Sequence, residues 1–368
     1  MNRRDFLRVA GMAGLSLAGV GAAAARPMKV LLWCWDARMT WDDEPEKLLT
    51  RMAAAEQRFP YPKRPESFGI GFRRMVDYCA KEGIWGVIIW GFLRDCHGGV
   101  SAAADLCKYA SDKGVKILPG VGLCSYGGYY FDGDSPYNLD RYLREHPERA
   151  SRAVEEGGTR EVGPVLDPSV EANQRWWREG LEWMLDTFEI GGIDYEMGDF
   201  IVNPSPGAVS ARSALGFDAD GNVMDVVVAT RGLMGRALEL RPDGVFINCT
   251  YRGFHQIKHF PRVPYVEALP RGTVWEYTLT GMVRQPEFPD GYAGVPPHRT
   301  YGYLHWFNAS SGTVDKDYAE EIGRVFPGLH RLGFEFAGTY GEVSPKVSAV
   351  ADTNYRAQAR WAREPGQA

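Results

Sequence analysis

Eight short apolar runs, separated by stretches of helical periodicity or by long loops, limit the folds open to this chain. They fall at 28–35, 86–92, 115–123, 192–195, 245–250, 273–277, 301–307 and 335–340. Apolar residues at helical spacing occupy 68–82, 102–113, 168–188, 225–240, 319–332 and 355–362. No helix stands out between the fifth and sixth runs. A run such as Val87-Ile88-Ile89-Trp90 is apolar at every position, as a strand covered on both faces must be. Strands alternating with helices imply a parallel sheet with helices packed outside it. Eight such units, with no GxGxxG after the first, favour a closed barrel over an open nucleotide-binding sheet. The expected fold is therefore α/β, a (β/α)8 TIM barrel forming one catalytic domain over residues 26–368.

Loop placement gives that barrel a working face. Residues 37–66, 125–167, 200–223 and 282–299 each follow a strand and precede the next helix, whereas the returns at 83–85 and 114 are tight. Barrel enzymes carry their chemistry on the face where strands end and loops are long.

The first residues carry a different signal. Arg3-Arg4-Asp5-Phe6-Leu7-Arg8 precedes a bland run of Gly, Ala, Leu and Val ending at Ala25. A basic start, a short apolar stretch and small residues before a cut describe an export signal. The paired arginines followed by Phe-Leu resemble the bacterial twin-arginine signal, which implies a translocon partner during export and a periplasmic or secreted product. The apolar stretch is too short and glycine-rich to remain as an anchor, so no membrane association is expected after cleavage. Arg3, Arg4 and Arg8 against Asp5 give residues 1–25 a net +2, which leaves −7 of the overall −5 on the remainder. That mildly acidic balance, without a lysine-rich run, argues against nucleic acid. The six cysteines are scattered with no CxxC pair, which excludes a zinc ribbon and a disulfide scaffold.

Carboxylates at strand ends are the most informative feature. In Gly192-Ile193-Asp194-Tyr195-Glu196, strand alternation puts Asp194 and Glu196 on one face and Ile193 and Tyr195 on the other. The outward face must meet apolar helices, so both acids are expected to point into the barrel, Glu196 at the rim and Asp194 one layer below. Stacked carboxylates repel, which should keep one protonated near neutral pH. Strand six offers Glu276 within Val274-Trp275-Glu276-Tyr277. Strands four and six are close in an eight-stranded barrel, so Glu196 and Glu276 could straddle one bond. Glycoside hydrolysis needs such a pair, one acid for the leaving oxygen and one base or nucleophile opposite. Asp194, Glu196, Glu276 and Asp199 are the candidate catalytic residues, with Glu196 expected as proton donor, Glu276 as its partner and Asp194 as the charge that tunes Glu196.

The segment 191–199 followed by Trp275-Glu276-Tyr277 resembles the TIM-barrel glycoside hydrolases, many of which place an acid/base carboxylate at the end of strand four. Tyr142-Leu143-Arg144-Glu145-His146-Pro147-Glu148 and Asp167-Pro168-Ser169 also look like phrases common in that superfamily. The resemblance implies a carbohydrate substrate. It departs from the commonest pattern at strand seven, where His305-Trp306-Phe307-Asn308 offers no glutamate.

Aromatic residues crowd the same face, and sugar rings stack their C–H faces on such rings. Trp33, Trp35, Trp90, Tyr126, Tyr251, Trp275, Tyr277 and Trp306 are the candidate platforms, with Asp36, His97, Asn248 and His305 as polar partners. Arg38, Arg94 and Arg252 follow strands one, two and five, and a guanidinium fork suits an anionic sugar or, equally, a barrel acid. His255 and His259 are spaced to share a helix face, but Phe260-Pro261 ends any helix there and no metal is assigned. No cofactor is expected. Two other readings remain open at this level: a metal-dependent sugar isomerase or epimerase, and a non-catalytic carbohydrate-binding barrel.

Changing both Arg3 and Arg4 to lysine should hold the precursor in the cytoplasm. Fractionation of the expressing cells checks this, and an unchanged periplasmic yield would refute twin-arginine export.

Overall fold

Thirteen strands and eight α-helices make up the described part of the computed structural model, which covers residues 26–35, 65–155, 161–197, 201–215, 221–249, 268–278, 299–304, 307–308, 313–314, 317–331, 333–340 and 349–364. Numbered along the chain, the long parallel strands are β1 (Lys29–Trp35), β2 (Gly86–Trp90), β3 (Lys116–Gly122), β6 (Gly192–Glu196), β8 (Val245–Asn248), β9 (Val274–Thr278), β10 (Arg299–Leu304) and β13 (Phe336–Tyr340). Short strands fill the gaps: β4 (Ala150–Glu155), β5 (Glu161–Leu166), β7 (Ile201–Val202), β11 (Phe307–Asn308) and β12 (Thr313–Val314). The helices are α1 (Pro65–Glu82), α2 (Gly99–Asp112), α3 (Leu139–Glu145), α4 (Glu171–Thr187), α5 (Pro206–Ala214), α6 (Gly221–Leu240), α7 (Ala319–Arg331) and α8 (Ala349–Arg363).

Each long strand pairs in parallel with its neighbour in the chain, and β13 pairs with β1, so the sheet curls until its edges meet. Closure leaves the barrel sheet itself without a free edge. Six of the eight long strands are followed by a long helix, namely α1, α2, α4, α6, α7 and α8. The segments after β8 and β9, 250–267 and 279–298, lie outside the described residues.

Two separate apolar clusters show how strand alternation sorts the side chains. Leu31, Trp33, Ile88, Trp90, Leu118, Val245, Ile247, Val274, Tyr301 and Phe336 meet inside the barrel. Their strand neighbours Val30, Leu32, Val87, Ile89, Ile117, Val121, Ile193, Tyr195, Phe246 and Ala337 face out and pack with the helices. Trp177 of α4 is fully buried in that outer layer, where its indole nitrogen donates to the Leu123 carbonyl at 2.9 Å. At the base, Arg299 grips Glu335 through two contacts of 2.9 Å and donates to the Gly244 carbonyl at 2.7 Å, joining β10 to the turns before β13 and β8.

The long segments expected as loops after strands three and four have structure of their own. Asn138 caps α3 by accepting from the Arg141 amide at 2.8 Å. Ser205 caps α5, with Pro206 in its first turn. Between them β4 pairs with β5 and with β7 in an antiparallel sheet outside the barrel. None of these strands is a continuous apolar run: β4 is half polar, Gly163-Pro164 interrupts β5, and β7 has two residues.

Gly192 tests how tightly the barrel is closed. Its φ is +156°, and a β-carbon there would overlap the Val245 carbonyl of the adjacent strand. Backbone cannot give way as a side chain can, so Gly192→Ala should cost at least about 2 kcal/mol. Urea denaturation read by circular dichroism checks this, the midpoint falling well below that of the parent.

Candidate active site

Inward positions near the ends of β6 and β9 bring three acids into the lumen. Asp194 and Glu196 alternate with the outward Ile193 and Tyr195, and Glu276 alternates with the outward Trp275 and Tyr277. All three carboxyls are buried. Cross-strand register sets Asp194 beside Gly120 and Glu196 beside Gly122 on β3, and Glu276 beside Tyr301 on β10.

Gly120 matters because a β-carbon there would run into the Trp90 indole. Its absence lets Trp90 lie across β3 and donate from Nε1 to Asp194 Oδ2 at 3.2 Å. Trp33 also hydrogen-bonds to Asp194, and the two indoles stand 6.0 Å apart between centroids. Tyr301 has a matching arrangement, its hydroxyl occupying the space that a side chain at Gly338 would need. Around Glu276, Cys249 Sγ lies 3.6 Å from Oε2 and donates to it.

Burial first, and then the charge of Glu276, push the Asp194 carboxyl up to about 8, against the opposing pull of the Trp90 and Trp33 hydrogen bonds. The shift thus falls on Asp194, and the charge acting on it comes from Glu276 two strands away. From the sequence, Glu196 is the expected raised acid and Asp194 its tuning charge. Burial foremost, followed by the charges of Asp194 and Glu276, likewise raises the Tyr301 phenol, which keeps its proton.

The other expected site residues divide three ways. Trp33 and Trp90 line the lumen, but both are buried and serve as donors to Asp194 rather than as open platforms. Tyr126 is half-buried at the rim, with a φ of +59° and its ring edge-on to Trp90 at 6.1 Å. Several expectations are corrected. Trp275 and Tyr277 face the helices, Tyr277 meeting Phe334 at 5.9 Å, because alternation turns them away from Glu276. Asn248 also faces outward and accepts from Thr230 of α6 at 3.1 Å. His97 is buried under α1, stacked on Phe68 at 4.3 Å, because the tight turn of residues 95–97 folds it back. Arg94 pairs with Asp132 at 3.1 Å and lies over the Phe131 ring, so it neutralises a rim acid. Trp35 ends β1. Asp36, Arg38, Asp199, Tyr251, Arg252, His305 and Trp306, with His255 and His259, lie outside the described residues.

Sequence reasoning missed Cys249 and Tyr301 as site residues. The alternation of Val245, Ile247 and Cys249 was available as a signal for the first, and that of Tyr301 with its neighbours for the second.

Several solved structures of glycoside hydrolases have a similar fold. The GH36 α-galactosidase of Geobacillus stearothermophilus matches 92% of this chain with a TM-score of 0.52 at 14% identity. An α-galactosidase from Lactobacillus brevis matches 92% with a TM-score of 0.52 at 13% identity. The GH20 exo-β-N-acetylglucosaminidase of Vibrio harveyi matches 92% with a TM-score of 0.50 at 9% identity. The likeness is one of fold. This chain spans 42%, 41% and 54% of those three proteins, so it corresponds to about half of each or less. No protein-family model and no curated protein sequence matches the chain.

The raised acid makes a prediction about stability. Burial and Glu276 push the Asp194 carboxyl up to about 8 in the folded protein, against an ordinary value of 3.8, so the folded state holds the extra proton between those limits. Its contribution is most favourable at acid pH and is lost as pH rises from about 4 through 8, by up to about 1.4 kcal/mol per unit. Asp194→Asn should remove that slope. Urea midpoints measured across this range check it, and parallel curves for parent and variant would refute the shift.

Proposed function

We propose that the protein is a glycoside hydrolase in a (β/α)8 barrel, exported by its twin-arginine segment, and that it cleaves a glycosidic bond at the mouth of the lumen. The observation that supports this most is the convergence of Asp194, Glu196 and Glu276 on inward positions at the ends of the fourth and sixth barrel strands. Three buried carboxyls in one lumen are costly, and such an arrangement is retained where its protonation states are used.

In this reading Asp194 holds a proton at neutral pH and Glu276 supplies the carboxylate. Asp194 then protonates the leaving oxygen, and Glu276 acts as base or nucleophile on the opposite side. Glu196, one layer closer to the mouth, meets the sugar hydroxyls. The indoles of Trp90 and Trp33 hold Asp194 in place, and Tyr126 offers a half-buried aromatic ring for a sugar face. With Arg94 engaged by Asp132, any preference for an anionic sugar rests on Arg38 and Arg252. All six cysteines are free thiols, which suits a protein folded before export.

Aryl α-galactosides and aryl N-acetyl-β-glucosaminides, the substrate types of the similar folds, are the first probes. Glu276→Gln should lower kcat by about 10²–10⁴ on any glycoside turned over. Asp194→Asn should do the same for a poor leaving group and far less for an activated one, and Glu196→Gln should mainly raise KM. Turnover that survives exhaustive chelation separates this reading from a metal-dependent isomerase. Near-normal kcat in both Asp194→Asn and Glu276→Gln would sink it.

A further inference from the structure

Cys249 has no part in the chemistry above, yet it occupies one of the few inward positions next to the acids. It follows Ile247 on the lumen side of β8, is buried, and its amide continues the barrel ladder by donating to the Tyr195 carbonyl at 2.9 Å. That ladder fixes the backbone, so the place of the thiol depends only on rotation about its own Cα–Cβ bond. Sγ sits 3.6 Å from Glu276 Oε2, within reach of an S–H···O hydrogen bond. Among the groups that face Glu276 are Asp194 from β6, Cys249 from β8 and Tyr301 from β10, with Glu196 on the inward side of β6 nearer the mouth.

We propose that Cys249 is a positioning residue for Glu276: its thiol donates to one carboxylate oxygen and fixes the orientation in which that carboxylate meets its substrate. A donor to the ionised form favours that form. Glu276 must stay charged in a dry lumen, and its burial acts against this. The thiol offsets part of that desolvation cost without adding a charge to the lumen. A residue that only filled space would serve equally well as alanine or valine and would not respond to the charge on Glu276. The contact stands by itself, while its catalytic consequence rests on the glycoside hydrolase reading.

Infrared spectroscopy of the S–H stretch tests the contact without any substrate. The Cys249 band is obtained as the difference between the parent and Cys249→Ala. In a Glu276→Gln background it should move to higher frequency, because an amide oxygen accepts more weakly than a carboxylate. An unmoved band overturns the proposal. Kinetics test the consequence: Cys249→Ala should lower kcat roughly fivefold to tenfold with KM little changed. It should also raise the acid limb of the pH–rate profile by about half a unit to one unit. Cys249→Ser, which keeps a donor, should recover most of both. Equal impairment of Ala and Ser would mean a packing role and overturn the proposal. If the parent turns over no glycoside while the infrared band responds to Glu276, the hydrolase reading fails and the positioning contact stands.

Discussion

A closed barrel of eight strands encloses so little space that its inward side chains must be chosen together. Here that space is divided between large aromatics and glycines. Trp90 crosses β3 only because Gly120 has no side chain, and Tyr301 reaches over β13 only because Gly338 has none. The lower lumen is filled by Leu31, Ile88, Leu118, Val245, Val274 and Phe336, which exclude water from beneath the acids. The position of Asp194, its indole donors and its raised pKa all follow from this packing. Poor hydration makes the charged form of Asp194 expensive, and Glu276 adds to that cost. The same dryness strengthens each hydrogen bond the acids retain.

The parts of this arrangement that depend on alternation within one strand were legible in the sequence. The inward direction of Asp194, Glu196 and Glu276 follows from period two and from the need to bury Ile193, Tyr195 and Trp275 against helices. The eight strands are legible for the same reason, since each is a short run without helical spacing. The same rule, fully applied, also excludes Trp275, Tyr277 and Asn248 from the lumen. Each adjoins an inward residue along the chain, but adjacent residues of a strand point to opposite faces.

Relations between strands were not legible. Glu276 acts on Asp194 because β8 places β6 and β9 one strand apart in a particular register, and no local pattern encodes register. Arg94 finds its counter-charge 38 residues away, across two loops that close on each other through Phe131 and Leu93. His97 turns under α1 because Gly98 adopts a φ of +98°, a backbone choice that the sequence allows but does not dictate. The small sheet of β4, β5 and β7 was hidden because none of the three is a continuous apolar run: β4 mixes Ser151, Arg152 and Glu155 with small residues, Gly163-Pro164 interrupts β5, and β7 has two residues.

That small sheet also bears on how such a protein could change over time. β4 and β5 belong to the connection after the third barrel strand, and β7 to the connection after the fourth. Hydrogen bonds between β4 and β7 make the two connections one object, held further by the contact of Asn203 with Ser151. Insertions or deletions in either would disturb the other, so the pair should be inherited and exchanged as a single module. On this side of the barrel, recombination between distant homologues would succeed at crossover points outside residues 150–202 and fail within them.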